Sequence, residues 1–218
     1  MRILAAVPVK DLVNAKQRLV PVLDPAERRA LARAMLQDVL TALGAVLAGR
    51  VCVVTTDPLV MDVARPFDVE CLVERANRGH TEAVAFAQEI AVSRGADCFL
   101  TIPGDVPCAS PSEIEVLCGA VGGAGVAFAP SASGFGTNAA ILSPPAIMPL
   151  KFGEPSFDNH LLAARQRGLS PAVLDLPGIG LDIDTPEDLG ALLARGSATR
   201  SAALLSAWGF PARLSAPR

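Results

Sequence analysis

Residues 98–105 read CFLTIPGD, an apolar run that ends in a proline, a glycine and an acidic residue. A short apolar run bounded by turn-forming residues is typical of a strand buried inside a sheet. In open α/β sheets, ligands bind at the carboxyl ends of the strands, which is where Asp105 would lie. Asp105 is therefore a candidate site residue, although Gly-Asp-x-Pro is also good turn chemistry.

Apolar runs alternate with amphipathic stretches along most of the chain, which predicts an α/β fold. The helix after the first loop is the clearest, because Asp24 can cap it, Pro25 suits its first turn and Gly49 can end it. The expected strands cover 3–9, 51–56, 69–73, 98–102, 126–130, 139–142 and 172–176. Further helices are expected over 81–94, 111–121, 156–167 and 186–195. Alternation of this kind predicts a Rossmann-like parallel or mixed sheet with helices on both faces.

The 218 residues suit one large domain or two small ones, and one shift in composition divides them. We expect a single domain over residues 1–195 and a C-terminal appendage over residues 196–218, which is rich in Ser, Ala and Arg. A helix is expected around Ala202–Trp208. Trp208 and Phe210 would dock the appendage on the body of the domain or on a second subunit, so a homodimer is one expected assembly.

The composition argues against several classes of protein. With 19 basic and 22 acidic residues the net charge is −3, which leaves no basic field for a nucleic acid backbone. No apolar run has the length expected of a membrane span. The five cysteines are odd in number and lack Cys-x-x-Cys spacing, which argues against a disulfide framework or a zinc site. We therefore expect a reduced, cytoplasmic protein without membrane or nucleic-acid partners.

Residues 181–188 read LDIDTPED and carry most of the information about function. In an extended chain, residues i and i+2 point to one face, so Asp182 and Asp184 should project together. Thr185 is a natural N-cap for the next helix, and Asp188 completes a capping-box pattern. Converging carboxylates need a cation between them, and an all-oxygen ligand set suits Mg²⁺. The alternative is a solvated turn with a helix cap.

Three cations follow the first expected strand within nine residues: Lys10, Lys16 and Arg18. In an α/β domain this is where a phosphate chain lies, so they could neutralise a triphosphate and a leaving pyrophosphate. A solvated basic loop is the alternative. The chain has neither a P-loop pattern nor Gly-x-Gly-x-x-Gly, which argues against a P-loop enzyme and a dinucleotide redox fold. Asp57, at the end of the second expected strand, could order this loop, contact ribose or base as a substrate-binding residue, or form a structural turn.

Two loops in the second half of the chain could form a second anion pocket. Residues 134–138 read GFGTN and offer backbone amides with small polar side chains. Residues 152–157 read FGEPSF and place Ser156 near a helix N-terminus, where anions are favoured. A glycine-rich turn and a serine at a helix N-terminus are each common in proteins and do not by themselves indicate a binding site. Two anion pockets beside a metal site suggest an enzyme that joins two phosphorylated molecules.

These motifs together resemble the 2-phospho-L-lactate guanylyltransferase family of coenzyme F420 biosynthesis, over about residues 3–195. That family belongs to the nucleotidyltransferases with the nucleotide-diphospho-sugar transferase fold. The resemblance rests on VPVK at 7–10, KQRL at 16–19, GTN at 136–138, FGEPSF at 152–157 and LDIDTPEDL at 181–189. It implies a single-domain fold of this type.

The resemblance also implies roles for individual residues. The metal ligands would be Asp105, Asp182 and Asp184. The acceptor pocket would comprise Thr137, Gly153 and Ser156. The basic loop would hold the phosphates of GTP through Lys10, Lys16 and Arg18, with Lys16, Arg18 and Asp105 as catalytic residues. Gly79 would be among the nucleotide contacts. This sequence departs from the family pattern at His80–Thr81, Phe135 and Glu154–Pro155, near the expected pockets, which bears on nucleotide and acceptor choice.

The implied activity is in-line transfer of GMP from GTP to the phosphate of a three-carbon phospho-acid, with release of pyrophosphate and with Mg²⁺ as cofactor. The candidate acceptors are 2-phospho-L-lactate, phosphoenolpyruvate and 3-phospho-D-glycerate. The Ala-, Arg- and Pro-rich composition suggests a high-GC bacterium and tilts the expectation towards the last two. The product would pass to a downstream transferase of the F420 pathway.

Two alternatives stay open. One is another enzyme of the same fold, such as a cytidylyltransferase acting on molybdopterin or on a sugar acid. The other is a non-catalytic nucleotide-binding or assembly module. The three aspartates and the basic loop argue against the second alternative.

Overall fold

A seven-stranded sheet forms the centre of the protein in the computed structural model, which describes residues 1–74, 76, 78–153, 155–195, 198–210 and 213. Its strands are β1 (Ile3–Pro8), β2 (Val51–Val54), β3 (Val69–Leu72), β4 (Cys98–Thr101), β5 (Gly125–Pro130), β6 (Thr137–Ser143) and β7 (Ala172–Val173). Their order across the sheet is β3-β2-β1-β4-β6-β5-β7. β6 runs antiparallel to β4 and β5, and the other neighbouring strands are parallel. The predicted mixed sheet is therefore confirmed.

The helices of the described residues are α1 (Pro25–Leu47), α2 (Pro58–Ala64), α3 (His80–Ser93), α4 (Pro111–Gly119), α5 (Ser156–Gln166), α6 (Pro177–Gly180), α7 (Pro186–Ala194) and α8 (Arg200–Ala207), with a 3-10 helix at Gln17–Leu19. α1 begins as predicted. Asp24 accepts a hydrogen bond from the backbone N–H of Glu27, and Glu27 accepts one from the N–H of Asp24.

Two helices lie outside the predicted ones, and they shorten the strands beside them. α2 starts at Pro58 with Asp57 as its N-cap, so β2 ends at Val54 instead of residue 56. α6 starts at Pro177, so β7 has two residues instead of the expected five.

Helices cover both faces of the sheet, as predicted, and the strand side chains alternate between two apolar cores. In β1, Ala5 and Val7 face the core that contains α1, α4, α7 and α8. Ala6 faces the other core, which contains α3 and α5. Alternate side chains of β1 therefore pack against two separate layers of helices, one on each face of the sheet.

α1 is long and apolar enough, by length and composition alone, to cross a membrane, and it is the one such helix among the described residues. The sequence analysis expected none. However, 61% of its apolar window is buried within the protein. Leu31, Met35 and Leu43 have no exposed surface. α1 is thus the core helix of its face of the sheet.

The C-terminal helix α8 lies on α1 of the same chain. The buried carboxylate of Asp38 in α1 accepts hydrogen bonds from the N–H of Arg200 at 2.9 Å, and from the N–H and the hydroxyl of Ser201 at 3.0 and 2.7 Å. Phe210 is fully buried in the core, and Trp208 packs against that core. Both residues therefore dock on the body, one of the two predicted arrangements. The expected boundary at residue 195 adjoins residues 196–197, which lie outside the described residues, and it stays a prediction.

We expect Asp38→Ala to lower the free energy of unfolding by about 2–3 kcal/mol, because it leaves buried donors at the start of α8 without an acceptor. Asp62 is the control, since it forms an exposed ion pair with Arg65 at 2.6 Å. Asp62→Ala should leave the stability nearly unchanged. Urea unfolding followed by circular dichroism measures both values. Similar losses in the two variants would contradict this account of the α8 contact.

Candidate active site

The carboxyl ends of β1 and β4 and the amino end of β6 meet at one edge of the sheet. Thr101 of β4 pairs with Ala140 in antiparallel register, so the first residues of β6 lie beside the loop that follows β4. Asp105 lies in that loop, and its carbonyl accepts a hydrogen bond from the N–H of Ile183 at 3.1 Å. This bond holds the segment 181–184 at the same edge.

The segment 181–184 is not a sheet strand, but it places its residues as the alternating pattern predicts. Its two apolar residues are buried in the core. Asp182 and Asp184 are only partly buried. Thr185 caps α7 and forms the predicted capping box with Asp188. Both aspartates are therefore held immediately before a well-defined helix start.

Lys16 supplies the positive charge between two of the aspartates. Its Nζ lies 2.6 Å from Asp105 Oδ2 and 2.8 Å from Asp184 Oδ1, and its side chain is only 7% exposed. Arg18 is farther away, at 3.6 Å from Asp184, and its side chain is 68% exposed. The sequence predicts Mg²⁺ between the carboxylates and places Lys16 on a triphosphate. In the structure the lysine itself bridges them.

The bridging contacts change the protonation of both partners. Burial by itself would lower the pKa of Lys16, yet Asp105 and Asp184 raise that pKa above its ordinary value. Burial by itself would raise the pKa of Asp184, but Lys16 and then Arg18 lower it below its ordinary value. Both groups are therefore charged at neutral pH, and each favours the charged form of the other.

Asp182 differs from the other two aspartates because no cationic side chain among the described residues pairs with it. Asn138 Nδ2 donates to Asp182 Oδ1 at 3.0 Å and also to two backbone carbonyls that precede it. Burial raises the pKa of Asp182, the bond from Asn138 opposes that rise, and the charges of Asp105 and Asp184 add to it. Asp182 is thus a carboxylate whose surroundings favour an added cation. The sequence analysis noted Asn138 only as part of a polar turn.

The three aspartates suit Mg²⁺ in their chemistry, because carboxylate oxygens are the ligands that this ion prefers. They do not form a ready-made cluster. Within the described part of the chain, no group of three or more His, Cys, Asp or Glu side chains is arranged to hold a metal ion. A divalent cation bound by all three aspartates would have to displace the ammonium group of Lys16.

A cavity of about 280 Å³ is lined by all three aspartates and by the three residues of the expected acceptor pocket, Thr137, Gly153 and Ser156. The N–H of Thr137 donates to Ser156 Oγ at 3.0 Å, which joins the amino end of β6 to that of α5. Gly153 has a φ of 111°, which residues with a side chain rarely adopt. The structure therefore brings these six predicted residues to one cavity.

His160 contacts this pocket from within the core, although the sequence analysis assigned it no role. Its Nδ1 lies 2.9 Å from Thr137 Oγ1, and its Nε2 accepts a hydrogen bond from the N–H of Lys151 at 2.9 Å. Burial lowers the pKa of His160 to about 4. One signal was available in the sequence: His160 follows Ser156 by four residues, so the two share a helix face.

The basic loop lines a second cavity, of about 250 Å³, which shares Asp105 with the first. Lys10 and Lys16 form part of its wall together with apolar side chains of α1. A smaller cavity of about 110 Å³ adjoins it at Lys10 and is also lined by Gly79. The structure therefore brings Lys10, Lys16 and Gly79 together. Arg18 lies at the surface beside Asp184 and lines none of these three cavities.

His80 lines all three cavities. Its ring meets the ring of Phe152 edge-on, with centroids 4.4 Å apart. The next residue, Thr81, accepts a hydrogen bond from the N–H of Phe152 through Oγ1 at 3.0 Å. The departure from the family pattern at residues 80–81 therefore connects the start of α3 to the loop that carries Gly153.

The other departures also lie close to the pocket. Phe135 is exposed, and its carbonyl accepts a hydrogen bond from the N–H of Phe157 at 3.1 Å. Pro155 is the residue immediately before α5. Glu154 lies outside the described residues. The Phe135 loop is thus tied to the same helix that carries Ser156.

Asp57 lies outside the three cavities. Its carboxylate accepts hydrogen bonds from the N–H of Leu59 in α2 at 2.9 Å and from the N–H of Leu12 at 3.0 Å. Through the second bond it fixes the basic loop to the end of β2. Of the roles considered for Asp57, the structure shows loop ordering and a structural role in the turn into α2.

Comparisons with known proteins bear on the family and the fold of the chain. A family model described as "Guanylyl transferase CofC like" matches residues 1–216. A phosphoenolpyruvate guanylyltransferase from Rubrobacter xylanophilus is 38% identical over 197 residues, covering 90% of this chain and 96% of the relative. A 2-phospho-L-lactate guanylyltransferase from Methanothermobacter thermautotrophicus is 37% identical over 201 residues, covering 92% of this chain and 88% of the relative.

A solved structure from Desulfovibrio desulfuricans G20, classed as a nucleotide-diphospho-sugar transferase, has a TM-score of 0.77 and 17% identity, with 94% of each chain covered. This likeness confirms the predicted fold. The family match and the two relatives confirm the resemblance found in the motifs. The chain belongs to the CofC-like family of guanylyltransferases, which are nucleotidyltransferases.

Proposed function

We propose that this guanylyltransferase joins GMP from GTP to the phosphate of phosphoenolpyruvate and releases pyrophosphate. The observation that carries the proposal is a pair of adjoining cavities with Asp105 in the wall of both. One is lined by Lys10 and Lys16, and the other by Thr137 and Ser156. Two anionic substrates bound in them would meet at the aspartates. The name of the Rubrobacter relative supports phosphoenolpyruvate as the acceptor.

2-Phospho-L-lactate is the second candidate acceptor, supported by the name of the Methanothermobacter relative. 3-Phospho-D-glycerate rests on the motif resemblance alone. All three acids carry a phosphate and a carboxylate on three carbons, so one pocket of hydroxyls and amides could hold each of them. The product would then pass to a downstream transferase of coenzyme F420 biosynthesis in the cytoplasm.

GTP would occupy the two cavities that meet at Lys10. The larger cavity would take the triphosphate beside Lys16, and the smaller one would take the nucleoside beside Gly79. Gly79 has a φ of 104°, which lets the chain turn into α3 at the wall of that smaller cavity.

Lys16 would exchange its partners when GTP binds. Its ammonium group is bonded to Asp105 and Asp184, and its side chain also lines the proposed triphosphate cavity. Phosphate oxygens form charge-assisted hydrogen bonds with ammonium groups, as carboxylates do. Movement of Lys16 to the phosphates would leave both carboxylates available to another cation.

Mg²⁺ is the proposed cofactor, with Asp105, Asp182 and Asp184 as the residues that would hold it. When bound, Mg²⁺ would neutralise charge on the phosphates and help to orient them. The state of Asp182 supports this proposal. Burial and two negative neighbours raise its pKa, so a cation beside it would relieve an unfavourable charge.

The proposed reaction is a direct in-line displacement. An oxygen of the acceptor phosphate forms a bond to the α-phosphorus of GTP. The bond from that phosphorus to the oxygen shared with the β-phosphate breaks, and pyrophosphate leaves with the electron pair beside the basic loop. The acceptor phosphate is already anionic near neutral pH, so no protein group has to remove a proton. Catalysis then depends on positioning and on neutralisation of charge.

The purified protein should release pyrophosphate from GTP only when a phospho-acid is present. In parallel assays with the three candidate acids, phosphoenolpyruvate should show the highest kcat/KM. ³¹P NMR of the product should show a new phosphoanhydride between the guanylyl group and the acid. EDTA should stop the reaction, and excess Mg²⁺ should restore it.

CTP in competition with GTP is the control for the choice of base. Faster transfer from CTP would assign the protein to the cytidylyl chemistry of other enzymes with this fold. If neither nucleotide released pyrophosphate with any of the three acids, the proposed reaction would be wrong.

Gly153→Val should raise the apparent KM for the acceptor about tenfold or more, a change of roughly 1.4 kcal/mol, with little change for GTP. The new side chain would occupy part of the acceptor cavity. Gly168→Val is the matched control, because Gly168 has a φ of 72° and equally open surroundings but lies outside the cavity lining. Steady-state kinetics with each substrate varied measures both constants. If both substitutions raised the KM for the acceptor equally, the cause would be backbone strain and not a blocked cavity.

Lys16→Met should raise the pKa of Asp184, because the cation that remains, Arg18, is exposed and 3.6 Å away. It should also weaken binding of a non-hydrolysable GTP analogue by about tenfold or more, the usual cost of a lost charged contact. Carboxylate titration by ¹³C NMR and calorimetry measure the two effects. Arg18→Met is the control and should raise the pKa of Asp184 less.

The ion pair between Lys16 and Asp184 also affects the stability of the fold. The folded-state pKa of Asp184 lies below its ordinary value of 3.8. Its ion pair therefore stabilises the fold above that pH, and this contribution is lost as the pH falls through the folded-state pKa. In Lys16→Met, the free energy of unfolding should therefore not show this fall as Asp184 becomes protonated at acidic pH. An unchanged pKa of Asp184 in Lys16→Met would show that the lysine does not control that carboxylate.

A further inference from the structure

His160 lies directly behind the proposed acceptor cavity, within the apolar core. It is 1% exposed, and its ring stacks on Phe128 at 5.4 Å and meets Phe152 edge-on at 5.1 Å. Both of its nitrogens have polar partners, the hydroxyl of Thr137 and the N–H of Lys151. An imidazole that packs against two aromatic rings and is hydrogen-bonded at both nitrogens has one orientation.

The contacts of the ring determine which nitrogen carries the proton. A backbone N–H can only donate, so Nε2 has to accept from Lys151 and cannot carry a hydrogen. Burial keeps the ring neutral at pH 7, because it lowers the pKa of His160 to about 4. A neutral ring with a bare Nε2 carries its hydrogen on Nδ1. Nδ1 therefore donates to Thr137 Oγ1, at 2.9 Å.

Ser156 adds a second donor to the same oxygen. Its Oγ accepts from the N–H of Thr137 at 3.0 Å, and its own hydroxyl donates to Thr137 Oγ1 at 3.4 Å. With His160 and Ser156 both donating, Thr137 Oγ1 acts only as an acceptor towards the protein. The hydroxyl hydrogen of Thr137 has no acceptor within the described part of the chain. Thr137 is also one of the residues that line the acceptor cavity.

We infer that His160 is a positioning residue that fixes the hydroxyl of Thr137 as a hydrogen-bond donor directed into the acceptor cavity. The ligand atom at this point is then a hydrogen-bond acceptor, which an oxygen of a carboxylate or a phosphate provides and an ammonium group does not. The inference rests on the proposed function for the identity of the acid. The direction of the hydroxyl itself follows from contacts within the protein.

Measuring the tautomer of His160 tests, independently of any activity, whether Nδ1 donates to the hydroxyl of Thr137. Long-range ¹H–¹⁵N NMR distinguishes the protonated nitrogen of a neutral imidazole from the bare one. Nδ1 of His160 should be protonated and Nε2 bare throughout pH 6–8. A hydrogen on Nε2 would overturn the inference, because Thr137 would then have to donate to the ring.

Two substitutions at position 160 form a matched pair for the second step. His160→Asn keeps an N–H donor near the position of Nδ1, and His160→Leu removes it. Both lose the acceptor for Lys151, so the difference between them isolates the bond to Thr137. Calorimetry with phosphoenolpyruvate, in the presence of Mg²⁺ and a non-hydrolysable GTP analogue, measures the Kd of the acid. Binding of the GTP analogue should be unchanged in both variants, which verifies that they fold.

His160→Leu and Thr137→Val should each weaken binding of phosphoenolpyruvate about 10- to 100-fold, the range for a hydrogen bond to a charged group. His160→Asn should weaken it less than His160→Leu. The double variant His160→Leu with Thr137→Val should bind no more weakly than Thr137→Val alone, because His160 acts through that hydroxyl. Losses that multiply would mean that His160 supports the pocket in another way, and the inference would be wrong.

The outcomes separate this inference from the proposed reaction. If the wild-type protein binds the acid and the variants follow the expected pattern, but no guanylyl transfer occurs, the proposed reaction fails and the inference stands. If the wild-type protein binds none of the three phospho-acids, the hydroxyl of Thr137 does not receive an acid there, and the inference is overturned.

Discussion

The direction of β6 is the constraint on which the rest of the site depends. β6 runs antiparallel between β4 and β5, so its first residues lie at the same edge as the last residues of β4. A parallel strand would bring its carboxyl end there instead. The reversal places Thr137 and Asn138 opposite the loop of Asp105. Donors from the start of β6 thereby face Asp105 from the loop after β4, and Asp182 and Asp184 from the segment before α7, across one cavity.

Much of the fold could be predicted because its signals are local. The cap at Asp24 and the apolar run of β1 depend on neighbouring residues, and both are found in the structure. α2 was missed although Asp57-Pro58 repeats the Asp-Pro start of α1. A helix of seven residues is too short to show a clear apolar period, and the apolar run before it extended the expected strand. Local chemistry thus predicts where elements start better than where strands end.

The sequence could predict which residues belong to the site, but much less well which of them contact each other. The aspartates and the Thr137 loop could be selected because carboxylates and small polar groups at strand ends suggest chemistry. Lys16 contacts carboxylates 89 and 168 positions away, and no local pattern predicts such partners. The role of His160 depends on which of its two nitrogens meets a backbone N–H. The spacing of four residues would have put it on the helix face of Ser156, but only the tertiary structure shows the tautomer.

The contact between Asp38 and the start of α8 bears on the order in which the chain becomes folded. The two partners are 163 positions apart, so one flank of α1 stays uncovered during synthesis until residues 200–201 have left the ribosome. Contacts at such separation also form late in refolding, because closing a long loop costs entropy before the contact is gained. The longest of the described helices, α1, therefore keeps one flank uncovered until the last of them has been made, and an uncovered apolar flank is prone to aggregation in that interval.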